Sequence, residues 1–470
     1  MNNIMSDAFS ESLAYPQQKR RAVASRSYRV KINPSNGQTF TGGQTINIDM
    51  PSNLAGTYCN WNQCYLKFKA DTLTEDLTLD RCGAYGFIER VQCQTAGAQI
   101  FDLPNWNVLM TILMDGDSSE SYKAGVGNIL VGTRGDKQSG EVLVSGANEA
   151  AAQANARVYC LPFVLHPFAM TTPHRLMPLF SLSPVQFKIT LSSKALAGVS
   201  SAQTGALNFR EVELVCVFTE LSPSAQAQVD QMTGGVYNML ASSYQNVGST
   251  MAVNSTVHTA NLGISVSSLE RVIVCHRPSA TVAAGSAFNL GNRIKNSLES
   301  YSIFINGEQY PARPVDVTGK GAEAFAEFLL SDHSLVNFDK QSSLTLAVGS
   351  NGLTAPQPYN GRDGAGAPVE PLEPYSLDTA DGTSSGAIAA GGAITASNIG
   401  SFITAVETET GLSDGKSARI YSGVSTISST VNYRGQYANT SVAAQIDFFA
   451  QFTVMLSLNM RGTGVYAISV

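Results

Sequence analysis

Glu211-Val-Glu-Leu-Val-Cys-Val-Phe-Thr219, an alternating apolar run, gives way almost at once to Ser222-Pro-Ser-Ala-Gln-Ala-Gln-Val-Asp-Gln231, a polar stretch of small residues. The first segment reads as a strand with one dry and one wet face, the second as a short polar helix or linker. A strand that closes one β-rich half just before a second β-rich half opens divides the chain in two. The expected units are an arm over residues 1–27, a β domain over 28–221, a linker with a short helix over 222–248 and a second β domain over 249–470.

On the N-terminal side, Tyr28-Arg-Val-Lys-Ile32, Gln44-Thr-Ile-Asn-Ile-Asp-Met50 and Cys64-Tyr-Leu-Lys-Phe-Lys-Ala70 alternate with period two. Residues 83–93, 99–103, 158–165 and 185–191 continue the pattern, and about eight strands fit, the count of a jelly roll. Trp106, Leu109, Met110 and Leu113 are spaced for a short helix, closed by Asp115-Gly116-Asp117. The C-terminal half repeats the plan. Residues 256–264 and 269–275 read as strands, and Ser300–Tyr310 as a strand ending in an Asn306-Gly307 hairpin turn. Phe325, Phe328 and Leu329 lie on one face of a predicted helix over 322–330, and residues 344–348, 418–433 and 447–458 supply the remaining strands. The predicted fold class is all-β, two tandem eight-stranded jelly rolls with short helices and a long insertion in the second.

That insertion runs from Gly349 to Asp414 and is dense in Gly, Ala, Ser and Pro, as in Gly364-Ala-Gly-Ala-Pro368. A loop of this length in a compact domain is functional or unstructured. It reads as an excursion from one end of the second roll, in loop or tower form. Tyr359 and Tyr375, each beside proline within it, are the expected intersubunit or outer contacts.

The 470-residue chain is 43% hydrophobic and 14% charged with net charge −6, which argues against a body that holds nucleic acid by counterion release. The N-terminal segment differs, since Lys19, Arg20, Arg21 and Arg26 fall within ten residues. They suit either a solvated tail or an arm that meets an anionic inner surface, lipid head groups or packaged nucleic acid. Seven cysteines with no C-x-x-C pattern, several inside apolar runs, read as free buried thiols of a reducing compartment. Residues 1–16 lack a signal-like apolar stretch, and no run reaches the ~20 apolar residues of a membrane span, so the expectation is a protein neither secreted by a standard signal nor embedded in a bilayer.

Candidate chemistry is sparse. His166, His174, His258, His276 and His333 lack partners at metal-ligand spacing, and no Walker pattern occurs. Glu211 and Glu213 could mimic a glycosidase pair, but a wet strand face explains them better. No catalytic residue, metal or cofactor is expected, and a shell-building protein fits better than an enzyme.

Several segments together resemble a known family. Glu211–Thr219 with the polar helix after it resembles the link between the two rolls of double jelly-roll major capsid proteins, the lineage that joins adenoviruses, virophages, polinton-like viruses and nucleocytoplasmic large DNA viruses. Asn261–Arg277, with Leu269-Glu-Arg-Val-Ile-Val274, is similar to an early strand pair of the second roll, and Phe304-Ile-Asn-Gly-Glu-Gln-Tyr-Pro311 to its strand, turn and return. Phe449–Gly462 followed by Gly464-Val-Tyr466 resembles the closing strand and chain end. The resemblance spans nearly the whole chain, while the long insertion departs from compact members. It implies a homotrimer whose six rolls give a near six-fold outline and tile an icosahedral DNA-virus shell, with strands roughly normal to it. The implied partners are further capsomers, penton and minor capsid proteins, and an internal membrane or the genome through the arm; a host receptor is not identified. A lectin-like, carbohydrate-binding tandem jelly roll is the alternative, since that fold also serves sugar recognition.

Overall fold

The computed structural model describes residues 25–73, 76–95, 98–134, 139–181, 183–193, 207–279, 282, 290–291, 293–317, 322–332, 402–409, 423–439, 441–460 and 466–469. The first roll is built from β1 (Ser25–Ile32), β2 (Thr45–Asp49), β3 (Tyr65–Thr72), β4 (Ile88–Thr95), β5 (Ala98–Pro104), β6 (Arg157–Pro162), β7 (Val185–Leu191) and β8 (Leu207–Leu221). The second is built from β9 (Val236–Met251), β10 (Val257–Asn261), β11 (Leu269–Pro278), β12 (Leu298–Ile305), β13 (Glu308–Asp316), β14 (Thr404–Glu407), β15 (Val431–Tyr437) and β16 (Ala444–Asn459).

Pairing follows one plan twice. In the first roll β1-β8-β3-β6 form one antiparallel sheet and β2-β7-β4-β5 the other. In the second, β9-β16-β11-β14 and β10-β15-β12-β13 repeat those orders with every strand advanced by eight. Both halves are therefore jelly rolls, two sheets packed face to face. Inward residues follow the alternation: Val185, Phe187, Ile189 and Leu191 of β7 are buried, and the residues between them are half-exposed. The wet face of β8 carries Glu213, paired with Lys67 at 2.6 Å and Lys31 at 2.9 Å, while Glu211 pairs with Lys69 at 2.5 Å. Each glutamate thus has a lysine partner, as the wet-face reading requires.

Three local signals place the connections. Ser222 caps α5 (Pro223–Thr233) by accepting from the Ala225 amide at 3.3 Å, Pro223 opens the helix, and left-handed Gly234 (φ 66°) closes it. Asn306 (φ 51°) and Gly307 (φ 87°) make the tight β12–β13 turn that demands two positive φ values. Helix α1 (Trp106–Asp117) is apolar nearly all round, so ten of its twelve residues are buried. The helix expected over 322–330 is α6 (Ala322–Ser331).

Several expectations need correction. The linker drawn over 222–248 is shorter, because β9 begins at Val236; the small polar residues Ser242 and Ser243 sit at buried positions and obscure its alternation. Strand β1 starts at Ser25, inside the stretch drawn as an arm. Residues 83–87 form a 3-10 turn rather than the start of a strand. The insertion drawn as 349–414 contains β14, whose Thr404, Ala405 and Val406 are buried and so lack an alternating pattern. The strand drawn over 418–433 is β15, starting at Val431. The strand drawn over 344–348 lies outside the described residues.

Candidate functional site: the seam and the two ends of the double roll

Strand register fixes two ends. β1 enters at Ser25 opposite Leu221, the last residue of β8, and β9 leaves at Val236 opposite Asn459, the last residue of β16. Helix α5 therefore sits at one end of the molecule, with the start of β1 beside it. Strands β6 and β14 start at the other. β6 starts at Arg157 opposite Ala70, near the end of β3 that pairs with the start of β8. β14 starts at Thr404 opposite Val274, on the side of β11 that pairs with the start of β16.

At this remote end the rolls meet through buried charge. Asp115 of α1 accepts from Lys123 Nζ at 2.9 Å through Oδ1 and from Arg293 Nη2 at 2.5 Å through Oδ2, with Arg81 Nη2 at 3.5 Å. Asp115 and Arg293 are fully buried. Arg293 belongs to the second roll, so this contact bridges the two. Asp80 of the first roll accepts the Leu290 amide at 3.2 Å and the Gly291 amide at 2.9 Å, and Arg81 donates to the Gly291 carbonyl. A Cβ at residue 291 would stand 2.4 Å from Asp80 Oδ1, so the close approach needs glycine there.

The electrostatics follow from this geometry. Burial alone would raise the Asp115 pKa, but Arg81, Lys123 and Arg293 overcome it and hold the carboxyl well below the ordinary range. Burial pushes Asp80 up and Lys123 down. A buried pair of this kind is weak evidence of net stabilisation, yet losing one partner strands the other charge at a cost of about 3–5 kcal/mol.

Further contacts extend the seam. The Thr172 amide donates to the Leu240 carbonyl at 2.9 Å and the Ser242 amide to the Met170 carbonyl at 3.1 Å, so the first roll covers the open edge of β9. Asn105 Nδ2 donates to Asn246 Oδ1 at 3.1 Å. Gly116 of α1 meets Phe328 of α6, where a Cβ would lie 2.8 Å from the ring. The helices that follow the second hairpin strand in each roll thus pack on each other.

Among the residues singled out from sequence, Arg26 pairs across β1–β8 with Glu220 at 2.7 Å and lies over the Tyr28 ring, with its side chain 74% exposed. Lys19, Arg20, Arg21, Tyr359 and Tyr375 lie outside the described residues. All seven cysteines are free, and all but Cys160 are buried. His166 and His276 are fully buried and pushed down to about 3 by burial. Sequence reasoning missed the seam. Its one available signal was Asp115 itself, a carboxylate on the face of α1 that also carries Thr111 and Ile112.

No protein-family model matches the chain, and no curated protein matches it. Solved structures do. PBCV-1 VP54, fitted into a reconstruction of the virophage Sputnik, superposes with a TM-score of 0.57 at 12% identity over 97% of this chain and 99% of that one. The Sputnik virophage structure gives 0.54 at 10% identity over 98% and 92%. The Faustovirus major capsid protein gives 0.54 at 8% identity over 94% and 92%. At these identities the likeness speaks to fold, and it covers nearly the whole chain and so both rolls: the chain is a double jelly roll with the fold of viral major capsid proteins.

Proposed function

We propose that this chain is the major structural subunit of an icosahedral DNA-virus shell, without enzymatic activity, and that it assembles as a homotrimeric capsomer. The carrying observation is the repetition of the same eight-strand order in two rolls of one chain joined by a buried seam. Three such chains present six similar rolls, which fit a six-neighbour lattice. Closed point-group symmetry then favours a three-fold ring. The end bearing α5 and the start of β1 is assigned to the inside of the shell, because the basic residues Lys19, Arg20 and Arg21 precede Ser25 there and suit a membrane surface or a packaged genome. The remote end, where the long β13–β14 connection enters β14, is assigned to the outside and to contacts between subunits. Penton and minor capsid proteins would close and brace the lattice.

Native mass measurement of the purified chain tests this reading. The expected species is three times 49.8 kDa, with larger particles at higher concentration. A 49.8 kDa species that stays monomeric and elutes from a sugar column with free carbohydrate would replace the reading with the lectin-like one.

A further inference from the structure

We propose that Cys59, Cys64 and Cys216 form a binding site for a thiophilic closed-shell cation, zinc(II) in the first place, inside the first roll. The fold gathers the three from separate segments: Cys59 ends the short strand Thr57–Cys59, Cys64 precedes β3, and Cys216 lies in β8. Between the first two, the 3-10 turn Trp61–Gln63 folds the chain back so that their sulfurs stand 3.7 Å apart. The Asn60 amide donates to the Val217 carbonyl at 2.9 Å, which ties the turn to β8 beside Cys216. All three Sγ atoms lie within 4.8 Å of one another, and all three residues are buried.

The spacing suits coordination. Zinc–thiolate bonds of ~2.3 Å at tetrahedral angles put the sulfurs about 3.8 Å apart. The Cys59–Cys64 pair already stands near that value, and at most about 1 Å of closure brings in Cys216. Among the described residues, Cys82, Cys93, Cys160 and Cys275 join no such group. An oxygen donor is at hand for a fourth position, since the Asn60 carbonyl lies 3.1 Å from Cys64 Sγ.

Charge selects the ion. Binding exchanges the thiol protons, released to solvent, for one cation. A dication with three thiolates leaves one net negative charge in a dry core, whereas a monovalent ion leaves two, and buried uncompensated charge is costly. Soft thiolates select zinc or copper(I) over hard cations, and the smaller residual charge favours zinc. The bound ion would pin the Asn60–Cys64 turn to β8. The second roll has no counterpart, because its described strands carry Cys275 alone.

The test uses the full chain, purified with reductant, stripped with chelator and titrated with cobalt(II) and then zinc(II). Expected are one metal per chain, a thiolate-to-cobalt charge-transfer band that zinc removes, and a higher unfolding temperature with zinc. Cys64→Ser and Cys216→Ser should each abolish the band, while Cys93→Ser should keep it. If a serine variant fails to fold, X-ray absorption of the zinc-loaded wild type decides, with a shell of three sulfurs expected. A folded wild type without the band, a shell of oxygen and nitrogen only, a band equally lost in Cys93→Ser, or a Cys59–Cys64 disulfide in the chain as made would overturn the proposal.

Discussion

The two rolls share one strand order and differ in what their fifth-to-sixth strand connections do. In the first roll that connection, from Asn105 to Ala156, folds into α1, α2 (Glu120–Ala124), α3 (Val126–Val131) and α4 (Glu149–Asn155), and α1 delivers Asp115 to the partner roll. In the second, the corresponding connection carries α6, which receives α1 at Phe328, and then the long Gly/Ala/Ser-rich stretch. One scaffold thus serves two tasks. The first roll spends its insertion on holding the chain together, through Asp115 of α1.

The largest expected effect comes from cutting the contact that joins the halves. Asp115→Asn leaves Lys123, Arg81 and Arg293 buried around a neutral group and should cost about 3–5 kcal/mol in urea unfolding. Glu211→Gln, which removes only the half-exposed Lys69 partner, should cost less than about 1 kcal/mol. Equal losses in the two variants would mean that the seam is incidental to the joining of the rolls.

A second comparison uses one buried histidine from each roll. His166 lies edge-on to Trp61 and Phe187, with Nε2 at 3.2 Å from the Phe163 carbonyl, whereas His276 Nε2 meets Tyr437 Oη at 2.8 Å. Both have folded pKa values of about 3, below the ordinary value of about 6.5. The unfolded chain therefore binds protons that the folded chain refuses, and stability should fall as pH drops from about 6.5 towards about 3, by up to ~1.4 kcal/mol per pH unit for each histidine. Asp115 acts in the same direction but only below the unfolded carboxylate value of about 3.9, because its folded pKa is depressed. His276→Gln and His166→Phe should each flatten the slope between about pH 6 and 4. An unchanged slope in both would place the acid sensitivity elsewhere.

Replacing residues 355–400 with a short Gly-Ser bridge keeps β14 and should leave both β cores folded, read by circular dichroism, while the trimer dissociates at lower urea. Gly/Ala/Ser sequence gains too little burial to offset a backbone ordering cost of ~1–2 kcal/mol per residue without a neighbouring surface. A trimer as robust as the parent would reduce the stretch to decoration. The smallest effect on stability is expected from changing Lys19, Arg20, Arg21 and Arg26 together to Ala. Trimer unfolding should stay the same, and particle yield or retention of membrane or genome should drop. Normal yield and content would make the arm a solvated tail.

The fold was largely legible because jelly-roll strands here obey period two: Ile46 and Ile48 point in, and Asn47 between them is half-exposed. Legibility failed where a strand is buried on both faces. Residues 446–450 of β16 are buried without a break, and Thr404–Val406 of β14 likewise, so alternation marks neither and only the longer run stood out. The seam was illegible for a different reason. Asp80, Asp115 and Arg293 are far apart in sequence; Asp80 and Arg293 look like ordinary surface charges, and Asp115 on its apolar helix names no partner until the topology brings them together. The three thiols share that logic, since Cys216 is distant from Cys59 and Cys64 in the chain and adjacent only across β8.

Electron microscopy of the purified assembly addresses the central claim most directly, that two equivalent rolls per chain build a six-lobed shell unit. The account predicts trimers with a near six-fold outline and three-fold internal symmetry, each lobe one jelly roll, with the α5 end turned to the interior of any shell they form. Rolls separated on a flexible tether, or an assembly whose symmetry is not three-fold, would contradict it.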